Sequence, residues 1–196
     1  MSDFWLWFTT GFYHIVSLSG YDHICYIICL TILFSSKQIK QLLVLVTAFT
    51  IGHSLTLALS TLHIISPPQK IIECLIPITI LITCAYNMVS YKNPKNQFSF
   101  NYILALVFGL IHGMGFSYLL KSLLGKQVSI IGPLFSFNIG LEAGQLLIIA
   151  CILFISLVLE SIFRVAKKDY IFFVSSAVFG VALLLLIQRI KFNYVS

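Results

Sequence analysis

Residues 4–34 read FWLWFTTGFYHIVSLSGYDHICYIICLTILF, a run in which Asp22 is the single formally charged side chain. As one unbroken helix this run would be about 46 Å long, against a hydrocarbon core about 30 Å thick. The helix is therefore expected to be tilted, or broken near Ser19-Gly20. A break creates a short aromatic-rich entry helix carrying Phe4, Trp5, Trp7, Phe8, Phe12 and Tyr13, followed by a second helix that starts at Tyr21-Asp22-His23. It also leaves a helix N-terminus and free backbone groups beside the first charged cluster. Irregular backbone is tolerated at that depth only where it lines a cavity within the protein.

The rest of the chain repeats the same apolar character. Of 196 residues, 59% are hydrophobic and 9% charged, with a mean hydropathy of +1.01; soluble domains carry about a quarter charged residues. There is too little polar surface here to clothe a water-facing domain, so the bilayer is the solvent. Taking about 20 apolar residues as a crossing, spans are expected at 4–34, 40–62, 71–91, 100–124, 133–160 and 169–189. The expected fold is an all-α, polytopic six-span bundle forming a single transmembrane domain over 1–196, with the first helix broken or tilted. Each boundary has local chemistry: Ser35-Ser36-Lys37, Ser66-Pro67-Pro68, Lys92-Asn93-Pro94-Lys95, Gly125-Lys126, and the stretch from Arg164 to Asp169. A cleavable signal peptide is not expected, since Asp3 precedes the first apolar run and no basic region does.

Basic residues sit in loops and tail, as membrane orientation requires, and do not point to nucleic acid. With six spans both termini share a side, which carries Lys70, Lys121, Lys126, Arg189 and Lys191. The opposite side carries Lys37, Lys40, Lys92, Lys95, Arg164, Lys167 and Lys168. This bias places the termini on the non-cytoplasmic side. The cysteines Cys25, Cys29, Cys74, Cys84 and Cys151 are odd in number and lack metal-type spacing, so they read as buried small hydrophobes.

Ionisable groups inside apolar spans cost several kcal/mol each unless they face one another or a wet cavity. His14 and Asp22-His23 lie in the first span, His53 in the second, Glu73 at the start of the third, His112 in the fourth and Glu142 in the fifth. Imidazoles with carboxylates are ligands for nickel, cobalt, zinc or iron. Supporting polar residues accompany them. Thr50 and Ser54 lie beside His53, Asn87 shares a face with Glu73, Pro77 and Cys84, and Asn138, Glu142 and Gln145 follow one another at i, i+4 and i+7. Small residues at Gly109 and Gly113, and at Gly140 and Gly144, allow close helix approach. A seam joining these two places would bring His112 toward Glu142. Any one histidine is adequately explained as structural glue bonded to a neighbouring hydroxyl or carbonyl, and the Ser and Thr residues by bonds to their own helices. The set Asp22-His23, His53, His112 and Glu142, drawn from four spans, exceeds what glue requires, and points to a functional polar centre. His63, near a loop, reads as interfacial.

The chain resembles the HupE/UreJ family, hydrogenase and urease accessory membrane proteins regarded as nickel or cobalt permeases. The resemblance is carried by His14-Ile15 leading to Gly20-Tyr21-Asp22-His23, by Thr47-Ala48-Phe49-Thr50-Ile51-Gly52-His53-Ser54, and by Glu73-Cys74-Leu75-Ile76-Pro77. It continues in Phe108-Gly109-Leu110-Ile111-His112-Gly113-Met114-Gly115-Phe116 and in Phe137-Asn138-Ile139-Gly140-Leu141-Glu142-Ala143-Gly144-Gln145. It implies a bacterial inner-membrane protein that is not an enzyme and that handles Ni²⁺ or Co²⁺, with Zn²⁺ also compatible. The hydrogenase or urease maturation machinery would be its partner. It also implies that His14, Asp22 and His23 form the family's histidine and Asp-His signature, with His53, His112 and Glu142 as further metal contacts. The interval between His14 and Asp22 is longer here than in the better-known members. On a continuous helix His14 and Asp22 would stand about 80° apart and His14 and His23 nearly opposite, so convergence requires a bend.

Three functions follow. The first is a divalent-metal permease. The second is an intramembrane zinc hydrolase, in which Glu142 or Asp22 acts as base toward a metal-activated water. The third is a membrane scaffold for metalloenzyme assembly with no metal of its own. A continuous polar path past Thr50, Ser54, Asn138 and Gln145 would favour transport, and a closed three-ligand site the hydrolase.

Overall fold

A computed structural model describes residues 3–90, 97–124 and 130–194. Among these the chain is entirely helical: α1 (Asp3–Val16), α2 (Tyr21–Thr31), α3 (Ile39–Thr61), α4 (Gln69–Ser90), α5 (Gln97–Leu124), α6 (Ile131–Ser161) and α7 (Lys167–Tyr194). The last five are long and apolar enough to cross a membrane. The expected boundaries of spans two to six fall within a few residues of α3 to α7. The expected breaks at Lys92-Asn93-Pro94-Lys95 and Gly125-Lys126 lie outside the described residues.

The first expected span is broken near Ser19-Gly20, one of the two expected forms: it is two helices, neither of which is long enough to cross alone. α1 extends about 21 Å and α2 about 17 Å, each a little over half the hydrocarbon thickness. Between them the chain bends at Ser17 and makes a short 3₁₀ turn, Leu18–Gly20. The turn is tight at Gly20, where a Cβ would stand 3.0 Å from the His14 carbonyl oxygen. The two half-helices nonetheless continue in one direction. α1 lies along the first half of α6, with Gly11 against Phe137 and Val16 against Gly144. α2 lies farther along, where Ile28 shares a crevice with Ile152 and Leu159. The break therefore falls beside the middle of α6.

Three helix pairs make the bulk of the packing: α1 with α6, α3 with α5, and α4 with α7. In the first two the helices run parallel at very close range. A Cβ on Gly11 or Gly140 would strike the backbone of the partner helix, as would one on Gly52, Gly109 or Gly113. This corrects the expected seam: Gly109 and Gly113 admit α3, Gly140 and Gly144 admit α1, and α5 is not joined to α6 through them. α4 and α7 run antiparallel, with Met88 beside Ser176 at one end and Glu73 beside Arg189 at the other. Pro77 is buried within α4, and Cys84 and Asn87, a turn apart, both reach α2: Asn87 donates to the Cys29 carbonyl at 2.7 Å and Cys84 Sγ lies 3.2 Å from Cys29 Sγ. Outward faces of α6 and α7 carry Phe154, Leu157, Phe173 and Leu184 exposed, which in water would be an aggregation surface and in lipid is the expected one.

Candidate metal centre

The break in the first span does for the histidines what a continuous helix could not. His14 ends α1, and Asp22 and His23 open α2; the bend between them folds the His14 ring back to 4.7 Å from the His23 ring centroid. His112 comes from α5, with its ring centroid 4.4 Å from that of His23. His53 comes from α3, with a centroid 6.0 Å from that of His14. The close α3–α5 seam is what brings His53 and His112 to the same depth, since Gly113 packs on the His53 carbonyl.

Hydrogen bonds fix which nitrogen each ring presents. His23 Nδ1 lies 2.9 Å from Asp22 Oδ1, which also accepts the His23 backbone N–H at 2.8 Å. A carboxylate only accepts, so Nδ1 carries the proton and Nε2 keeps its lone pair. His112 Nδ1 likewise faces the Phe108 carbonyl at 3.2 Å, leaving Nε2 free. The other carboxylate oxygen, Asp22 Oδ2, lies 3.8 Å from His112 Nε2. Nε2 of His14, His23 and His112, and both ring nitrogens of His53, are buried with no hydrogen-bond partner. Buried polar atoms are rarely left so, and the four rings together offer four lone pairs, one from each neutral imidazole, to an electron-pair acceptor such as a metal ion.

Two overlapping sets have ligand atoms all within 4.8 Å of one another: His14, His23 and His53, and Asp22, His23 and His112. Two metal–nitrogen bonds of about 2.1 Å span up to about 4.2 Å, so small side-chain rotations close either set on an ion. Aromatic rings wall the cluster. Phe108 stacks on His112 with centroids 3.9 Å apart and on Tyr26 at 3.6 Å, and Phe116 lies against His14 at 4.0 Å. Phe49 and Phe137 flank His53. The sequence carries a signal for this wall apart from its polar residues: Phe49 precedes His53 by four, and Phe108 and Phe116 bracket His112 at the same spacing, so each ring shares a face with its histidine.

A cavity of about 610 Å³ reaches the cluster. Its wall includes His14, Asp22, His23 and His112, together with Thr10, Tyr13, Glu73 and Arg189. These last two are 3.5 Å apart, near the start of α4 and the end of α7, so the mouth lies on the side shared by both termini. Arg189, unremarked in the sequence except as a basic end residue, is thus part of the entrance.

The remaining expected site residues stand apart from the histidines. Glu142 does not meet His112; its carboxylate accepts from Thr47 Oγ1 at 3.1 Å, because α6 pairs with α1 and presents this residue to α3. One turn away Thr50 Oγ1 donates to Gln145 Oε1 at 3.0 Å, with both side chains buried. Ser54 bonds back to the Thr50 carbonyl at 2.6 Å, the default for a helical serine. Asn138 keeps a buried, unpartnered Oδ1, and Glu73 accepts from Gln69 at 2.8 Å. His63 sits exposed in the α3–α4 turn at φ 61°.

A family model described as HupE / UreJ protein matches residues 1–189. The chain belongs to the HupE/UreJ family. No curated protein and no solved structure shows a significant match. For this HupE/UreJ protein the sequence resemblance and the membership agree, and the buried and half-buried His/Asp groups lie close enough together to hold a metal ion.

Proposed function

We propose that this HupE/UreJ protein is a membrane permease for a divalent transition-metal ion, with Ni²⁺ or Co²⁺ favoured, that serves metal delivery to hydrogenase or urease maturation. The observation that carries the proposal is the convergence of four imidazoles, each with an unpartnered ring nitrogen, and one carboxylate at a helix break that a cavity reaches. The ion is the cargo. It sheds water in stages along the cavity and is received by neutral imidazoles, which suit borderline metals, while carboxylate and water ligands alone suit Mg²⁺ and Ca²⁺.

The Thr50–Gln145 and Thr47–Glu142 pairs support transport over intramembrane hydrolysis. They step along α3 from buried His53 by three residues each time, and their side chains pass from buried to exposed. A hydrolase needs a dead end; a permease needs a second way out. Glu142 is better placed on that path than in the histidine cluster. In cells or vesicles loaded by a metal gradient, His23→Ala and His112→Ala should each reduce ⁶³Ni²⁺ or ⁵⁷Co²⁺ uptake at least about tenfold while the protein remains in the membrane. Unchanged uptake in both variants contradicts the proposal.

A further inference from the structure

We infer that the centre holds its ion at two alternative positions that share His23 and are filled one at a time. The outer position is Asp22, His23 and His112, and the inner is His14, His23 and His53. This rests on the permease reading and adds to it the order in which ligands are met.

Both sets satisfy the same distance limit, and His23 is the residue common to them. A neutral imidazole has one lone pair, so His23 cannot bind two ions together. Exchange between the positions then proceeds with His23 retained, as Asp22 and His112 are traded for His14 and His53, and the ion is never without protein ligands. Access gives the order. All three outer ligands line the cavity, and so does His14, whereas His53 is not in its wall, is 0% exposed and has neither ring nitrogen partnered. An ion arriving from the cavity meets Asp22 and His112 first.

The two positions also differ in chemistry. The outer one includes a carboxylate, whose charge draws any divalent cation out of water; the inner one is all imidazole and discriminates in favour of nickel, cobalt or zinc over hard ions. Capture precedes selection. His53 then acts as the selecting ligand, and its absence from the cavity wall keeps hard, hydrated ions from reaching it.

Full-length protein in detergent, titrated with Co²⁺ and followed by its d–d absorption, tests this directly. Wild type should bind about one Co²⁺ per chain, since His23 has a single lone pair to give. His53→Ala should retain one Co²⁺ with the spectrum of a mixed carboxylate–imidazole site, and His112→Ala one Co²⁺ with an all-imidazole spectrum. Each should stop transport, and His23→Ala should bind none. His53→Gln and His112→Gln, read in the same way, replace any alanine variant that aggregates. Two Co²⁺ per wild-type chain, or loss of binding in both the His53 and His112 variants, overturns the two-position scheme and leaves the permease standing. A wild type that binds no Co²⁺, Ni²⁺ or Zn²⁺ removes the permease reading itself.

Discussion

Asp22 illustrates how much a single side chain does in this protein. One oxygen holds the His23 backbone and ring, and the other faces His112. Asp22→Asn keeps the size but offers an amide where the ring N–H needs an acceptor, so the His23 tautomer is no longer fixed. Losing such an orienting partner costs about 10- to 100-fold in metal affinity; isothermal titration of Asp22→Asn with Ni²⁺ should show a fall of that size, and an unchanged affinity would exclude an orienting role. Imidazole must be neutral to accept a metal, so protons compete with the ion. Uptake should therefore fall as the medium is acidified, and a rate that does not fall at any pH at which the protein stays folded would mean that the histidines are not the ligands. The histidines and Asp22 were legible in the sequence because ionisable groups in apolar spans have few reasons to be there. Their partners were less so: nothing in the order of residues says that Arg189 returns from the last helix to stand over Glu73 at the entrance.

The elements owe their positions to glycine. Gly109 and Gly140 each face a neighbouring backbone, Phe49 and Phe8 respectively. Adding a single methyl forces those backbones apart, and overpacking of this kind typically costs about 1–3 kcal/mol. Gly109→Ala should lower the thermal transition in detergent, and by shifting α3 against α5 it should also weaken metal binding. Gly180→Ala, with open space around its Cβ, should leave both unchanged or gain slightly in stability from helix propensity. Equal behaviour of the two variants would show that the seams do not position the histidines. Here the sequence was readable only in part. Small residues four apart announce a close approach but not a partner. The partner is set by the bundle, in which the first and fifth spans pair and the second and fourth pair, and Glu142 was carried away from His112 as a result. The broken first helix was more legible, since 31 residues exceed any membrane thickness and His14 could not otherwise meet His23.

At the scale of the molecule the described residues form a bundle with a cavity on one face and two polar pairs between α3 and α6, which the permease proposal takes as the exit. The cavity opens on the side of both termini, and from the bias in loop charge we propose that this side is the exterior. Reporter fusions at the C-terminus should then be active only outside the cytoplasm, and a cysteine placed at Thr10 in the cavity wall should react with an impermeant thiol reagent added from outside unless Ni²⁺ is present. Labelling only from the cytoplasmic side would reverse the direction of transport. The permease proposal depends on a metal being bound where the first helix breaks. Elemental analysis of detergent-purified protein, wild type beside His23→Ala, measures this most directly. Wild type should carry about one nickel, cobalt or zinc per chain after metal loading and His23→Ala close to none. Equal metal in the two proteins, or none in either, would contradict a metal centre at the helix break.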